Sequence, residues 1–120
     1  MASKTRAHVP AGVSGSASGT TVDAYVAGLS WECLGYLSKR VLIKNTGGAN
    51  SLKFKVISHY SEGGIDVIEK SETVLAPAAS WASTTELEHA CNDIVVDVAA
   101  NVGSSQTTYA IEFTGLAPGK

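Results

Sequence analysis

The residues best suited to chemistry in this 120-residue sequence are few and widely spaced. His89 and Cys91 are two positions apart, so on a strand both side chains would face the same side and form half of a zinc site. A structural zinc needs four ligands, usually from closely spaced pairs. The remaining candidates, Cys33, His59 and Glu88, show no such spacing. The sequence therefore predicts no metal site, with His89 at the surface and Cys91 in the core.

Catalytic motifs are incomplete as well. Glu86 and Glu88 are the nearest approach to a pair of carboxylates, but neighbouring acids on a loop are usually solvated and not held at the separation that glycosidases use. The stretch GLSWE, residues 28–32, lacks the second glycine of a nucleophile elbow. Neither glycine motif for phosphate binding occurs. We therefore predict that the protein is not an enzyme and uses no cofactor.

Three aromatic residues, Trp31, Tyr36 and Trp81, suggest a different kind of site, because flat rings stack on sugar rings. Large aromatic side chains also fill protein cores, and core packing is the interpretation we favour for these three. Aromatic residues make up only 7% of the chain and the net charge is −2. A base-stacking platform interleaved with basic residues is therefore not expected, and we predict no nucleic-acid partner.

The elements that must position these residues are short strands. In SLKFKVIS, Leu52, Phe54 and Val56 alternate with Lys53 and Lys55, which is typical of a strand with one solvated face. Similar runs occur in RVLIKN, DIVVDVAA and TYAIEF, separated by Gly, Pro, Asn and Ser. The sequence TGGAN between RVLIKN and SLKFKVIS predicts a hairpin that joins these two strands.

About seven strands without a long amphipathic helix predict an all-β fold. Because each half-apolar sheet needs a partner to cover it, we expect an antiparallel β-sandwich, either immunoglobulin-like or jelly-roll-like, over residues 22–116. Residues 1–21 are rich in Ser, Gly, Ala and Thr without an apolar period, which predicts an extended N-terminal arm. Residues 117–120 are expected to form a short tail, and residues 84–90 a single helical turn.

The sequence also bears on the protein's compartment. No run of 18 apolar residues occurs, so we predict no membrane span. The N-terminus lacks the apolar segment of a secretion signal, which predicts synthesis in a cytoplasm. Cys33 and Cys91 are compatible with buried thiols, or with a disulfide formed later if the product leaves the cell.

The charged residues are unevenly distributed along the chain. Nine acids and a single base, Lys70, fall within residues 62–112. Two interpretations are open: ion pairs across strands of one sheet, or a basic edge on one copy that meets an acidic edge on the next. The basic residues that would form this charged interface lie in a stretch without acids and are Lys39, Arg40, Lys44, Lys53 and Lys55.

Two segments, VLIKNTGG and VLAPAASW, resemble strand and turn motifs of small Ig-like sandwich domains, with Ala78 where the second motif usually has glycine. The layout of the whole chain, a small β-domain behind a Ser/Gly/Ala arm, resembles the auxiliary head proteins of tailed bacteriophages, known as decoration or cement proteins. Members of that family sit between major capsid subunits and stabilise the shell, often as trimers. The resemblance implies a non-enzymatic structural protein of the virion, with capsid or other particle proteins and further copies of itself as partners.

In such a particle the arm would lie across a neighbouring subunit and add main-chain hydrogen bonds by strand addition. Lys4 and Arg6 are candidates to pair with capsid carboxylates, and Val9, Pro10 and Val13 are candidate apolar contacts. The alternative function is a β-sandwich module that binds carbohydrate or another protein.

Overall fold

A computed structural model of the chain describes residues 12–33, 35–36, 38–61, 64–83 and 92–116. This part is all-β, with eight strands where the sequence predicts about seven. The strands are β1 (Gly12–Thr20), β2 (Val26–Glu32), β3 (Arg40–Asn45), β4 (Leu52–His59), β5 (Asp66–Leu75), β6 (Ser80–Ala82), β7 (Asp93–Ala100) and β8 (Thr108–Leu116).

The strands form two four-stranded antiparallel sheets, sheet A in the order β1-β8-β3-β6 and sheet B in the order β2-β7-β4-β5. The first strand in the sequence pairs with the last, the second with the second last, and so on: β1 with β8, β2 with β7, β3 with β6 and β4 with β5. The chain is thus one long hairpin folded into two layers. Within each layer one further pairing joins two of these strand pairs: β3 with β8 in sheet A and β4 with β7 in sheet B. This is an eight-stranded jelly roll, not the immunoglobulin order.

Apolar side chains from both sheets meet between the layers. In β4, Leu52, Phe54 and Val56 have no exposed surface, whereas Lys53 and Lys55 at the alternate positions are partly exposed. Each large apolar side chain buried in this way contributes about 1.5–3 kcal/mol. The core residues are Leu29, Trp31, Cys33, Val41, Ile43, Leu52, Phe54, Val56, Leu75, Ile94, Val96, Val98, Tyr109 and Ile111.

The connection between β3 and β4 is not the hairpin that TGGAN predicts. The two strands lie in different sheets, so residues 46–51 cross from sheet A to sheet B. The buried side chain of Asn45 stabilises the crossing: its amide donates to the carbonyl groups of Asn50, at 2.9 Å, and Leu75, at 3.1 Å. Its carbonyl accepts from the Gly47 N–H at 3.0 Å. Turn residues indicate where the chain reverses, but they do not determine which strand becomes the partner.

The segment VLAPAASW, which resembles a turn motif, forms a turn between β5 and β6. The Ala79 N–H donates to the Ala76 carbonyl at 3.0 Å. Ala78 has φ 64°, in the left-handed region that glycine tolerates best. Ala78 therefore takes the backbone conformation for which the related turn motif usually has glycine.

The second half of the predicted arm is a strand of the sandwich. β1 pairs with β8 without a break, from Gly12↔Leu116 to Thr20↔Thr108. The alternate positions that face the other sheet are half-buried but carry small side chains, which is why the sequence shows no apolar period there. The sandwich therefore includes residues 12–20, and its predicted start at residue 22 is wrong.

Close packing against β8 explains the glycines of β1. A Cβ atom at Gly15 would lie 2.6 Å from the Phe113 ring, and one at Gly19 would lie 2.8 Å from the Tyr109 hydroxyl. Real Cβ atoms do not approach other atoms so closely, so the two aromatic rings occupy the space that larger residues in β1 would need. The predictions for residues 1–11, 84–91 and 117–120 lie outside the described residues.

Candidate functional site

The basic residues predicted as a charged interface do not form one continuous surface. Arg40 and Lys44 are exposed on β3, on the outer face of sheet A. Lys53 and Lys55 lie on the outer face of sheet B. The two pairs are close in sequence but lie on opposite faces of the sandwich, because the segment between β3 and β4 crosses from one sheet to the other.

Lys39, the fifth member of that set, is not on the surface. Its side chain is fully buried, and its Nζ donates to the Tyr36 carbonyl at 2.7 Å. A buried ammonium group is tolerated only where such hydrogen bonds replace water. Lys39 therefore holds the segment before β3 in place, and its assignment to a charged interface is wrong.

On the outer face of sheet B the lysines interact with residues of the same sheet. Lys53 Nζ lies 3.9 Å from the Glu72 carboxylate, and Lys55 is directly opposite Asp97 in the β4–β7 register. The ring of Tyr25 lies 5.3 Å from the Lys53 ammonium and 4.6 Å from that of Lys55. Burial and the hydrogen bond to Glu72 raise the pKa of Tyr25. On this face Lys53 and Glu72 therefore form an ion pair across strands of one sheet, in line with the first interpretation.

At the other end of this face, His59 lies between two carboxylates. Its Nδ1 is 2.9 Å from Asp93 Oδ2, and its Nε2 is 2.7 Å from Asp66 Oδ1. The hydrogen bond to Asp93 raises the pKa of His59, partial desolvation opposes this rise, and Asp66 reinforces it. Because both ring nitrogens are engaged, the cluster ties three strands together and leaves no nitrogen to act as a general base.

Sequence reasoning missed this cluster. His59 is in register with Asp66 on β5 and with Asp93 on β7. Asp93 is 34 positions away in the chain, so only the pairing of β4 with β7 brings the two side chains together. The cluster could have been predicted only from the strand order, and no local pattern in the sequence gives that order.

The aromatic residues confirm the core-packing interpretation. Trp31 is buried and stacks on Phe113, with ring centroids 4.4 Å apart, and it lies 5.8 Å from Tyr36. Trp81 packs against Phe54 at 5.4 Å. A sugar-binding face built from Trp31, Tyr36 and Trp81 is therefore wrong, because their rings pack against the core cluster.

The outer face of sheet A is rich in small hydroxyl side chains. Two shallow depressions of about 290 and 310 Å³ share Glu112 and Thr114 in their linings. Arg40 and Ser83 line the first, and residues of β1 line the second. Glu112 is the one carboxylate in either lining, so neither depression offers the paired acids of a hydrolase. The exposed hydroxyl residues of this face are Ser14, Ser16, Ser18, Thr20, Ser80, Thr108 and Thr114.

An exposed apolar group, which we call the hairpin patch, lies where β4 turns into β5. It consists of Tyr60, Ile65 and Ile68, with 57%, 86% and 55% of their surfaces exposed. His59↔Asp66 is the last register pair before this turn, so Tyr60 and Ile65 flank the turn, and Ile68, opposite Ile57, lies two residues further along β5. Grouped apolar residues at a surface are typical of contact sites for other proteins.

Within the described ranges, no group of three or more His, Cys, Asp or Glu side chains is arranged to hold a metal ion. No helix in this part of the chain is long and apolar enough to cross a membrane. The residues considered for zinc binding or catalysis at 86–91 lie outside the described residues.

The predicted arm contacts have a mixed outcome. Lys4, Arg6, Val9 and Pro10 lie outside the described residues. Val13 lies in β1, where it is half-buried and packs against the core cluster. Val13 is therefore a residue of the sandwich, and its assignment as an arm contact is wrong.

Comparison with known proteins gives the fold. No protein-family model matches the sequence, and no curated protein sequence matches it. Among solved structures, the chain matches PirA with a TM-score of 0.58 and 18% identity, over 82% of this chain and 92% of PirA. It matches VP2 from the infectious bursal disease virus subviral particle with a TM-score of 0.58 and 10% identity, over 92% of this chain and 33% of VP2.

A third match is a protein of Bacillus endospore appendages, which are described as disulfide-linked pili. Its TM-score is 0.57 at 9% identity, over 89% of this chain and 88% of that protein. At such low identity these similarities establish that the chain shares an all-β sandwich fold with these proteins.

Proposed function

We propose that this chain is a non-enzymatic structural protein of a virus or phage particle, where it acts as a capsid decoration protein that stabilises the shell. The observation that carries the proposal is a jelly roll that offers broad sheet faces, strand edges and exposed apolar residues, among them those of the hairpin patch. Such surfaces suit contacts between proteins. A substrate would instead need a concave pocket with convergent polar groups.

The solved structures with this fold support the proposal. VP2 of infectious bursal disease virus builds a subviral particle, and the Bacillus protein builds pili. The shared fold corresponds to about a third of the VP2 chain and to most of the pilus protein. We infer that this chain also occurs in many copies, so that weak individual contacts add up to a stable attachment.

The partners under this proposal are the major capsid protein or another particle protein, together with further copies of the chain, as in the trimers of the decoration proteins it resembles. The hairpin patch provides an apolar contact with the shell. Residues 1–11 provide a second one, in which Lys4 and Arg6 pair with carboxylates of the shell and Val9 and Pro10 add apolar contact. The location that follows is the virion.

A second candidate function is a module that binds carbohydrate or another protein. The depressions beside Glu112 favour it, because Arg40 and Ser14 add polar groups to their linings. The buried Trp31 weighs against it, since stacking on a sugar needs an exposed ring.

The test is to produce a tagged chain in the cells that form the particle and to separate the particles on a density gradient. We expect the chain to sediment with the major shell protein at a fixed ratio that survives a salt wash. The variant Ile65→Asp should remain folded but leave the particle fraction. Val102→Asp is the matched control, because Val102 is 60% exposed and outside the hairpin patch.

The opposite outcome is equally clear. A wild-type chain that stays in the soluble fraction while particles form normally would overturn the proposal. Retention of a glycan by this soluble chain, measured on an array, would establish the second candidate function instead.

A further inference from the structure

Among the strands that the structure describes, three of the four edge strands carry features that block pairing with another chain. In β2 the register shifts between Ala27 and Leu29. In β5 it shifts twice along the pairing with β4, and four of the ten residues are charged. β6 has only three residues and follows Pro77 closely. Bulges, charges, proline and short length are the usual means of protecting a sheet edge.

The fourth edge strand, β1, has none of these features. Its nine residues, GVSGSASGT, include no charge and no proline, and its register with β8 is continuous. The packing of Phe113 and Tyr109 explains Gly15 and Gly19, but it does not explain the exposed serines that alternate with them. A long, neutral edge with an unbroken register is a template for strand pairing.

The register shows which backbone groups of β1 face this free edge. The Thr21 N–H donates to the Thr107 carbonyl at 2.8 Å, which makes 21↔107 a hydrogen-bonded pair. In an antiparallel ladder these pairs alternate, so the odd-numbered residues of β1 bond to β8. The N–H and C=O groups that project from the free edge belong to Gly12, Ser14, Ser16, Ser18 and Thr20.

We infer that the free edge of β1 binds β1 of a second copy of this chain, antiparallel, around a two-fold axis at Ser16. In this register Ser14 lies opposite Ser18 of the second copy, and all five residues with free backbone groups face one another. Full pairing gives about ten backbone hydrogen bonds along about 30 Å. The two copies of sheet A then form one continuous eight-stranded sheet.

The side chains favour a second copy as the occupant. The strand is nearly palindromic about Ser16, with serine at 14 and 18 and a small residue at 15 and 17. Serine hydroxyls can therefore hydrogen-bond across the pair, and nothing bulky clashes. Glu112 is opposite Ser16 on β8, which puts the two Glu112 residues three strand spacings, or about 14 Å, apart and largely screened. The inference holds whether or not the chain belongs to a particle.

A disulfide test reads out the register. Residues on the two-fold axis have Cα atoms about 5.5 Å apart, within disulfide range, whereas two residues at position 14 would be about 14 Å apart. We expect Ser16→Cys to give a covalent dimer on mild oxidation, and Ser14→Cys to give no more dimer than the wild-type chain. The wild-type control accounts for Cys33 and Cys91. Equal yields from the two variants would overturn the proposed register.

Sedimentation velocity tests the dimer itself. The wild-type chain should show twice the 12.4 kDa mass of one chain at about 100 µM. Ser16→Lys places like charges side by side at the axis and should weaken dimerisation by about fivefold. Ser80→Lys adds the same charge to an exposed position of β6, the other edge of sheet A, and should leave the dimer intact. A monomeric wild-type chain, or a Ser16→Lys variant as dimeric as wild type, would overturn the inference.

Discussion

Gly28 shows how little space the core leaves beside β2. A Cβ atom there would lie 2.7 Å from Val98 Cγ2 and 2.9 Å from Ile111 Cδ1, and both side chains are fully buried. We predict that Gly28→Ala lowers the free energy of unfolding by about 1–3 kcal/mol, because overpacking forces the surrounding side chains to shift. Urea denaturation measures the change. Gly48→Ala is the control, since nothing lies within 4 Å of its added Cβ, and an equal loss in both variants would contradict the packing argument.

His59 should make stability depend on pH. Its hydrogen bond to Asp93 raises its pKa above the ordinary value of 6.5, so the folded state binds a proton more tightly than the unfolded state. The resulting stabilisation is fully present below pH 6.5 and is lost as the pH rises through the raised pKa. Each unit by which the pKa is raised corresponds to about 1.4 kcal/mol.

The variant His59→Gln isolates this contribution. Denaturant unfolding from pH 5.5 to 8.5 should show stability falling with pH in the wild-type chain and a flatter profile in the variant. The other two histidines, His8 and His89, are present in both proteins. If the stability of the two proteins fell equally with pH, the contacts of His59 with Asp66 and Asp93 would not be the cause of the pH dependence.

For single residues, the sequence predicts well which side chains alternate between buried and exposed positions, but it predicts poorly which residues they contact. The buried Leu52, Phe54 and Val56 follow from their spacing alone. The burial of Lys39 does not follow, because a lysine before a strand is normally exposed and only the fold brings the Tyr36 carbonyl to its ammonium group.

Among the elements, β1 provides the clearest prediction. Deletion of residues 2–11 leaves all eight strands in the chain, so we expect a folded domain with a melting temperature within a few degrees of wild type. Deletion of residues 2–20 removes β1, exposes the inner side of Phe113 and leaves backbone groups of β8 unpaired. We expect this variant to melt at least 10 °C lower or to aggregate, since each kcal/mol lost shifts the midpoint by roughly 4 °C.

Thermal denaturation followed by circular dichroism distinguishes these outcomes. If the longer deletion melted like the shorter one, β1 would contribute nothing to the sandwich. The shorter deletion also serves the proposed function, because it removes Lys4 and Arg6 without touching a strand, and its loss from the particle fraction could then be attributed to residues 1–11.

Strand positions can be predicted where the inward residues are large. β4, β7 and β8 carry Val, Ile, Leu or Phe at alternate positions, and their patterns identify them. β1 escapes this reasoning because its inward positions hold Val, Gly, Ala and Gly. The aromatic rings of Phe113 and Tyr109 fill the space beneath β1. The large apolar residues of that part of the core therefore appear in the sequence of β8 and not in that of β1.

For the molecule as a whole, the sequence predicts the class and leaves the topology open. Strands with one apolar face require a second layer, and this argument leads to a sandwich. The order of the strands depends on pairings such as Gly12↔Leu116, which join distant parts of the chain and leave no local trace. The His59 cluster and the division of the lysines between two faces depend on this order, so neither could be predicted.

The central position of β8 in sheet A has a consequence for biosynthesis. β8 lies between β1 and β3, and the ribosome makes it after the other seven strands. Sheet B needs the nascent chain only as far as β7, so it can assemble while β1 and β3 still wait for their shared neighbour. Translation of residues 108–116 is therefore the step that completes sheet A. Until then the inner face of sheet B is available to chaperones.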